Sequence, residues 1–275
     1  MFNKHPKGLI AAALANLGER FGFYTMMAIL VLFLQAKFGM NGKEAGFIYS
    51  TFYFSIYILA LVGGIIADKT RNYKGTIFTG IVLMAVGYLL LAIPSKTPVD
   101  NKMLYLVITC ASLFVIAFGN GLFKGNLQAL VGQMYDNPQY ANMRDSGFSL
   151  FYMFINIGAI FAPFAAVGVR NWWLSTFGYN YDADLPALCH GQLAGTLSPE
   201  ATETYHTLVT KASTAPVQDY TAFASDYLNV FTTGFHYAFG VAIIAMAISL
   251  TIYWLNKKNF PDPSKKAAAS SSSSS

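Results

Sequence analysis

The chain has 275 residues, 55% of them hydrophobic and 11% charged, about half the charged fraction of an ordinary soluble domain. The apolar residues come in long blocks, which excludes a soluble globular protein and points to an all-α, polytopic membrane protein. A net charge of +5 then reports membrane topology and not a nucleic-acid surface.

Six spans are expected, over residues 8–38, 45–67, 75–94, 103–135, 146–167 and 230–255. The first begins like a secretory signal, with Lys4 and Lys7 before a short apolar run. The apolar pattern resumes at Phe21, so the segment reads as a complete spanning helix. Its middle holds Glu19 and Arg20. A charge at membrane depth costs at least about 2.5–3.5 kcal/mol, so this pair needs a partner, a watery cavity, or both. On a helical wheel Asn16, Glu19, Arg20, Phe23 and Met27 share one face, with Tyr24 at its edge.

The second span carries Tyr49, Tyr53 and Tyr57 at i, i+4, i+8 and ends at Asp68 and Lys69, which open a basic loop with Arg71 and Lys74. The fourth presents Asn120, Lys124 and Gln128 at the same spacing, and the fifth Ser149, Tyr152 and Asn156. Four polar stripes are the pattern expected of helices around a water-accessible cavity. Lys124 is the remaining deep charge; facing Glu19, it would complete a network with Arg20 able to trade a proton for a substrate charge. Gly121 and Gly125 form a small-xxx-small pair suited to close helix packing.

Residues 168–229 are polar and acidic, with Ser198-Pro199-Glu200 marking a helix start. They read as a partly helical extracytoplasmic insertion acting as a solvated spacer. His236 reads as structural, and Tyr253 with Trp254 as an interfacial anchor. Residues 257–275 are a basic and then Ala/Ser-rich tail without structure. The basic loops place both termini in the cytoplasm. Cys110 and Cys189 offer no pairing pattern or metal-ligand spacing. No Ser–His, paired-Asp or metal-ligand constellation lies in the spans, so neither an enzyme nor a cofactor or metal site is expected.

Four segments carry a resemblance. Asn16-Leu17-Gly18-Glu19-Arg20-Phe21-Gly22-Phe23-Tyr24 resembles the E-x-x-E-R-F-x-Y-Y signature of proton-dependent oligopeptide transporters. The stretch Gly63-Gly64-Ile65-Ile66-Ala67-Asp68-Lys69 resembles the loop 2–3 motif of the major facilitator superfamily that contains them. Phe118-Gly119-Asn120-Gly121-Leu122-Phe123-Lys124-Gly125-Asn126 is similar to the F-G-T-G-L-F-K-P-N signature, and Phe151-Tyr152-Met153-Phe154-Ile155-Asn156-Ile157-Gly158 to F-Y-x-x-I-N-x-G.

The resemblance implies one six-helix bundle, the N-terminal half of a twelve-helix fold, whose substrate and proton sites lie between two bundles. It implies a proton-coupled di-/tripeptide symporter of a bacterial inner membrane, in contact with lipid and with a second bundle. The alternatives are the same fold carrying a non-peptide solute, and a non-transporting membrane module. Carried over by position, Glu19, Arg20 and Lys124 would couple the proton. Arg20, Tyr24, Tyr57, Lys124 and Asn156 would bind substrate, and Asp68 and Lys69 would serve a gating loop. Asn16 stands where the signature has its first glutamate, Phe23 where it has a tyrosine and Gly125 where it has a proline, so Glu19 would carry the helix-one proton alone.

Overall fold

A computed structural model describes residues 4–262; residues 263–275 of the expected tail lie outside the described residues, whereas Lys257–Asn259, expected to lack structure, form a 3-10 turn and Phe260 is buried against Tyr253. Eight α-helices follow in order: α1 (Gly8–Phe38), α2 (Gly42–Thr70), α3 (Tyr73–Ala92), α4 (Lys102–Met134), α5 (Arg144–Thr176), α6 (Leu185–Ala194), α7 (Pro199–Ala212) and α8 (Tyr220–Asn256). Six of them, all but α6 and α7, are long and apolar enough to cross a membrane.

Local chemistry sets the ends. Asn41 opens α2 with a reciprocal cap: its side chain accepts from the Lys43 and Glu44 amides at 2.9 and 3.0 Å, and the Glu44 carboxylate in turn accepts from the Asn41 amide, satisfying donors the helix leaves free. Asp219 starts α8 with a one-way cap, its side chain accepting from the Thr221 and Ala222 amides, and α1 closes on Gly39 at φ +63°, a conformation glycine adopts without a Cβ clash.

α4 packs between α2 and α3, α1 between α5 and α8, and α3 and α5 both touch α8. Contacts at single glycines set these spacings. A Cβ at Gly63 would run into the Gly121 backbone, and one at Gly119 would meet the Gly80 carbonyl at 2.6 Å. Without a hydrophobic drive between helices in lipid, such close approach supplies the packing energy. The expected pair was Gly121 with Gly125. Gly121 does lie against α2, but a Cβ at Gly125 meets nothing within 4 Å, because the face of α4 that packs on α2 and α3 carries residues 119 and 121 instead.

α1 is the innermost span, with 61% of its apolar window buried, against 22% for α2 and 28% for α5. Gly18 and Gly22 let it approach the backbone of α8 at Ala245 and Ala242, and Ser249 on α8 donates to the Ala15 carbonyl at 2.6 Å.

Two helices outrun their expected spans. α5 continues beyond 167 to Thr176 and α8 begins ten residues before 230, because polar residues continue both helices past the apolar stretch that hydropathy detects. The 168 and 230 boundaries therefore fall inside helices. The connection between them is also more than a spacer. Ser198 caps α7, and Leu185, Cys189, Tyr205, Val209, Phe223 and Tyr227 form a buried core. Tyr205 donates to the Tyr220 carbonyl at 2.6 Å and Tyr227 to that of Asn180 at 2.9 Å. His190 donates through Nε2 to the Ala36 carbonyl at 2.7 Å, docking this unit on the end of α1. Arg170, within the 168–229 segment but on α5, is buried with its guanidinium 3.5 Å over the Tyr181 ring. Tyr253 is a packing residue, bonded to the Lys74 carbonyl at 3.0 Å.

Candidate functional site

The innermost helix carries the most expensive residues. Glu19 is fully buried and Arg20 is 4% exposed. Arg20 donates through Nε to Oε2 and through Nη2 to Oε1 of Glu19, both at 2.5 Å. This two-pronged geometry is the one in which a guanidinium matches a carboxylate. A third bond comes from α4: Asn120 Nδ2 donates to Glu19 Oε1 at 2.7 Å. The carboxylate thus accepts on both oxygens in the water-poor core of the bundle. Arg20 also lies over Phe23 at 4.4 Å and Tyr24 at 5.6 Å, so the Phe at the signature's tyrosine position supplies a cation–π face.

Lys124 was expected to face Glu19 directly. It forms no ion pair or hydrogen bond among the described residues, although it is within electrostatic reach of Glu19, Arg20 and Tyr53. The physical reason is register. Asn120, one turn earlier on α4, takes the position against Glu19, leaving Lys124 half-buried and uncompensated. Glu19 and Arg20 cancel, so the cluster keeps one net positive charge.

The other expected residues divide. Tyr57 is exposed and donates to Tyr53 at 3.1 Å. Tyr24 is half-buried beside Arg20, and Asn156 on α5 is exposed. At the far end of α2, Asp68 and Lys69 are both exposed; Asp68 accepts from Tyr73 at the start of α3, and Lys74 reaches the Lys257 carbonyl at 2.9 Å.

Two participants escaped the sequence reading. Asn120 was one member of a stripe, and nothing in its spacing singles it out over Lys124 or Gln128. Tyr88 on α3 is fully buried within electrostatic reach of Glu19 and Arg20, and both its hydroxyl and Asn120 Oδ1 lack a hydrogen-bond partner among the described residues. A tyrosine in an apolar helix with no polar stripe carries no signal of this kind.

Residues 74–274 match the family model PTR2, described as the POT family; α1 and α2 precede the matched region. The chain is similar to Peptide transporter YePEPT of Yersinia enterocolitica subsp. palearctica serotype O:3 (strain YE-P4), at 34% identity over 66% of this chain and 34% of that protein. It is likewise similar to Dipeptide and tripeptide permease A of Enterobacter sp. (strain 638), at 34% identity over 64% of this chain and 32% of that one. Among solved structures it resembles a peptide transporter POT in complex with sulfate, with a TM-score of 0.61 and 27% identity over 96% of this chain and 43% of that one. The chain spans about a third of the length of these curated relatives and about two-fifths of that structure.

Proposed function

This chain belongs to the POT family, and on that footing we propose that it forms one six-helix bundle of a proton-coupled di-/tripeptide symporter in a bacterial inner membrane. The observation that carries the reading is the charge arrangement: a buried carboxylate chelated by Arg20 and Asn120, with Lys124 left unpaired beside it.

The chemistry follows from the bonds. Proton transfer to Glu19 turns an acceptor-only carboxylate into a carboxylic acid, which no longer matches the guanidinium fork. Arg20 is then released, and with Lys124 it offers two positive groups to the terminal carboxylate of a peptide. Binding of that carboxylate favours protonated Glu19, and by linkage protonation of Glu19 favours peptide binding to the same degree. Tyr24, Tyr57 and Asn156, exposed or half-buried, are available to line the peptide between this bundle and a second one. Asp68 and Lys69 then belong to the contacts between helix ends that change in alternating access. The loop of Lys69, Arg71 and Lys74 supports a cytoplasmic location for this end and for both termini, which leaves the α6–α7 unit on the opposite side.

The test is uptake of a labelled dipeptide into vesicles carrying this bundle with its second bundle, under competition. Di- and tripeptides with a free terminal carboxylate should compete, and the same dipeptides amidated at that end should compete at least tenfold less well. Equal competition by the amides, or none by any peptide, overturns the substrate reading.

A further inference from the structure

A second buried cation of α1 lies at its C-terminal end. Lys37, in its last turn, is 2% exposed, and Nζ donates to the Ser95 carbonyl at 2.5 Å. An ammonium has three donors, and among the described residues no carboxylate lies within 4 Å of it. Eighteen residues of helix separate it from Glu19, about 27 Å at 1.5 Å per residue, so it is no part of the central cluster.

Lys37 shares a cavity of about 360 Å³ with His236 of α8. The His236 ring is fixed: Nδ1 donates to the Leu91 carbonyl at 2.6 Å, and Phe33 holds it edge to face at 5.2 Å. That bond makes Nε2 the acceptor of the neutral ring, and Nε2 is buried without a partner. The Ser95 loop is pinned as well, by the Thr97 amide donating to Asn229 at 3.1 Å and a 2.8 Å contact between the Thr97 and Thr232 hydroxyls. Leu90, Ile93 and Ile108 form an apolar rim that remains exposed.

We propose that this cavity binds a singly protonated phosphate group, its anionic oxygen accepting from Lys37 and its P–OH donating to His236 Nε2. The two side chains present the donors and the acceptor that such a group requires, and no fully deprotonated anion offers a proton to the neutral ring. The apolar rim fits a phosphate carried on a hydrocarbon chain, as in a lipid phosphate monoester. Free inorganic phosphate offers the same head chemistry without the chain.

The experiment titrates the purified 275-residue chain in a neutral detergent with n-octyl phosphate, inorganic phosphate and n-octanol, read by phosphorus NMR line width for the two phosphates and by thermal midpoint for all three. Saturable binding of about one octyl phosphate per chain is expected, with no effect of octanol. Lys37→Met should weaken it at least tenfold, Lys37→Arg should retain it, and His236→Phe, which keeps the ring's bulk, should weaken it severalfold. Inorganic phosphate binding as tightly as octyl phosphate supports the site and assigns it to the free ion; much weaker binding assigns it to the amphiphile. Binding unchanged in both Lys37→Met and His236→Phe overturns the proposal, as does no saturable binding by either phosphate. If Lys37→Met does not fold, His236→Phe and Lys37→Arg decide alone.

Discussion

Replacing Glu19 by glutamine tests the buried pair through stability before any transport is measured. Glutamine keeps the shape but has one oxygen, and its NH2 group points a donor at the donors of Arg20 or Asn120. Three bonds at 2.5, 2.5 and 2.7 Å are disrupted, and the Arg20 guanidinium is left charged at 4% exposure. Removing one partner of a buried ion pair costs about 3–5 kcal/mol, and Glu19→Gln should lose that much. Arg20→Gln should lose a similar amount, with part of it from the cation–π contacts to Phe23 and Tyr24. The double variant removes both charges together, so it should retain about 2–3 kcal/mol more stability than the sum of the single losses predicts. Denaturant titration of all four proteins in mixed micelles measures the cycle. Additive losses, within about 0.5 kcal/mol, would refute the claim that the two side chains act as one buried unit.

Further outcomes follow from other packed groups. Tyr88→Phe removes a buried hydroxyl with no partner among the described residues and should leave stability unchanged or raise it by about 1 kcal/mol; a loss above 1 kcal/mol in the same titration contradicts that reading. Gly63→Ala drives a Cβ into the α4 backbone and should cost at least about 1–3 kcal/mol, whereas Gly125→Ala, with open space, should be neutral or stabilising. Burial pushes the Cys189 thiol up to about 12, so the reactive thiolate is scarce at pH 8. Cys189 should resist maleimide until the chain is unfolded, as read by mass spectrometry. Because the folded value is the higher one, its contribution to stability is intact below the unfolded thiol value and is lost as pH rises toward 12.

The spans were legible because a membrane imposes long apolar runs, and the cost of charge within them singled out Glu19, Arg20 and Lys124. Register between helices was not. Which residue of the α4 stripe meets Glu19 depends on how far α4 slides along α1, and glycine contacts with α2 and α3 set that slide, so Asn120 and not Lys124 makes the bond. Helix ends beyond the lipid-soluble stretch were equally hidden: α5 and α8 continue through polar residues whose partners, such as Tyr181 beneath Arg170, come from a distant loop. The α6–α7 core reads as polar spacer because its buried residues are few and scattered between acidic ones. His236 read as structural, and its Leu91 bond supports that; its other nitrogen is a property of the cavity and leaves no trace in the spacing.

The central claim is that protonation of Glu19 releases Arg20 to the substrate. Vesicles carrying the bundle together with the proposed second bundle, with an inward proton gradient, measure it most directly through dipeptide accumulation by wild type and Glu19→Gln, alongside gradient-free exchange of the same dipeptide. The account predicts that Glu19→Gln loses gradient-driven accumulation at least tenfold while exchange persists, since a neutral side chain at position 19 leaves Arg20 available to the peptide. Accumulation at the wild-type level in Glu19→Gln would contradict it.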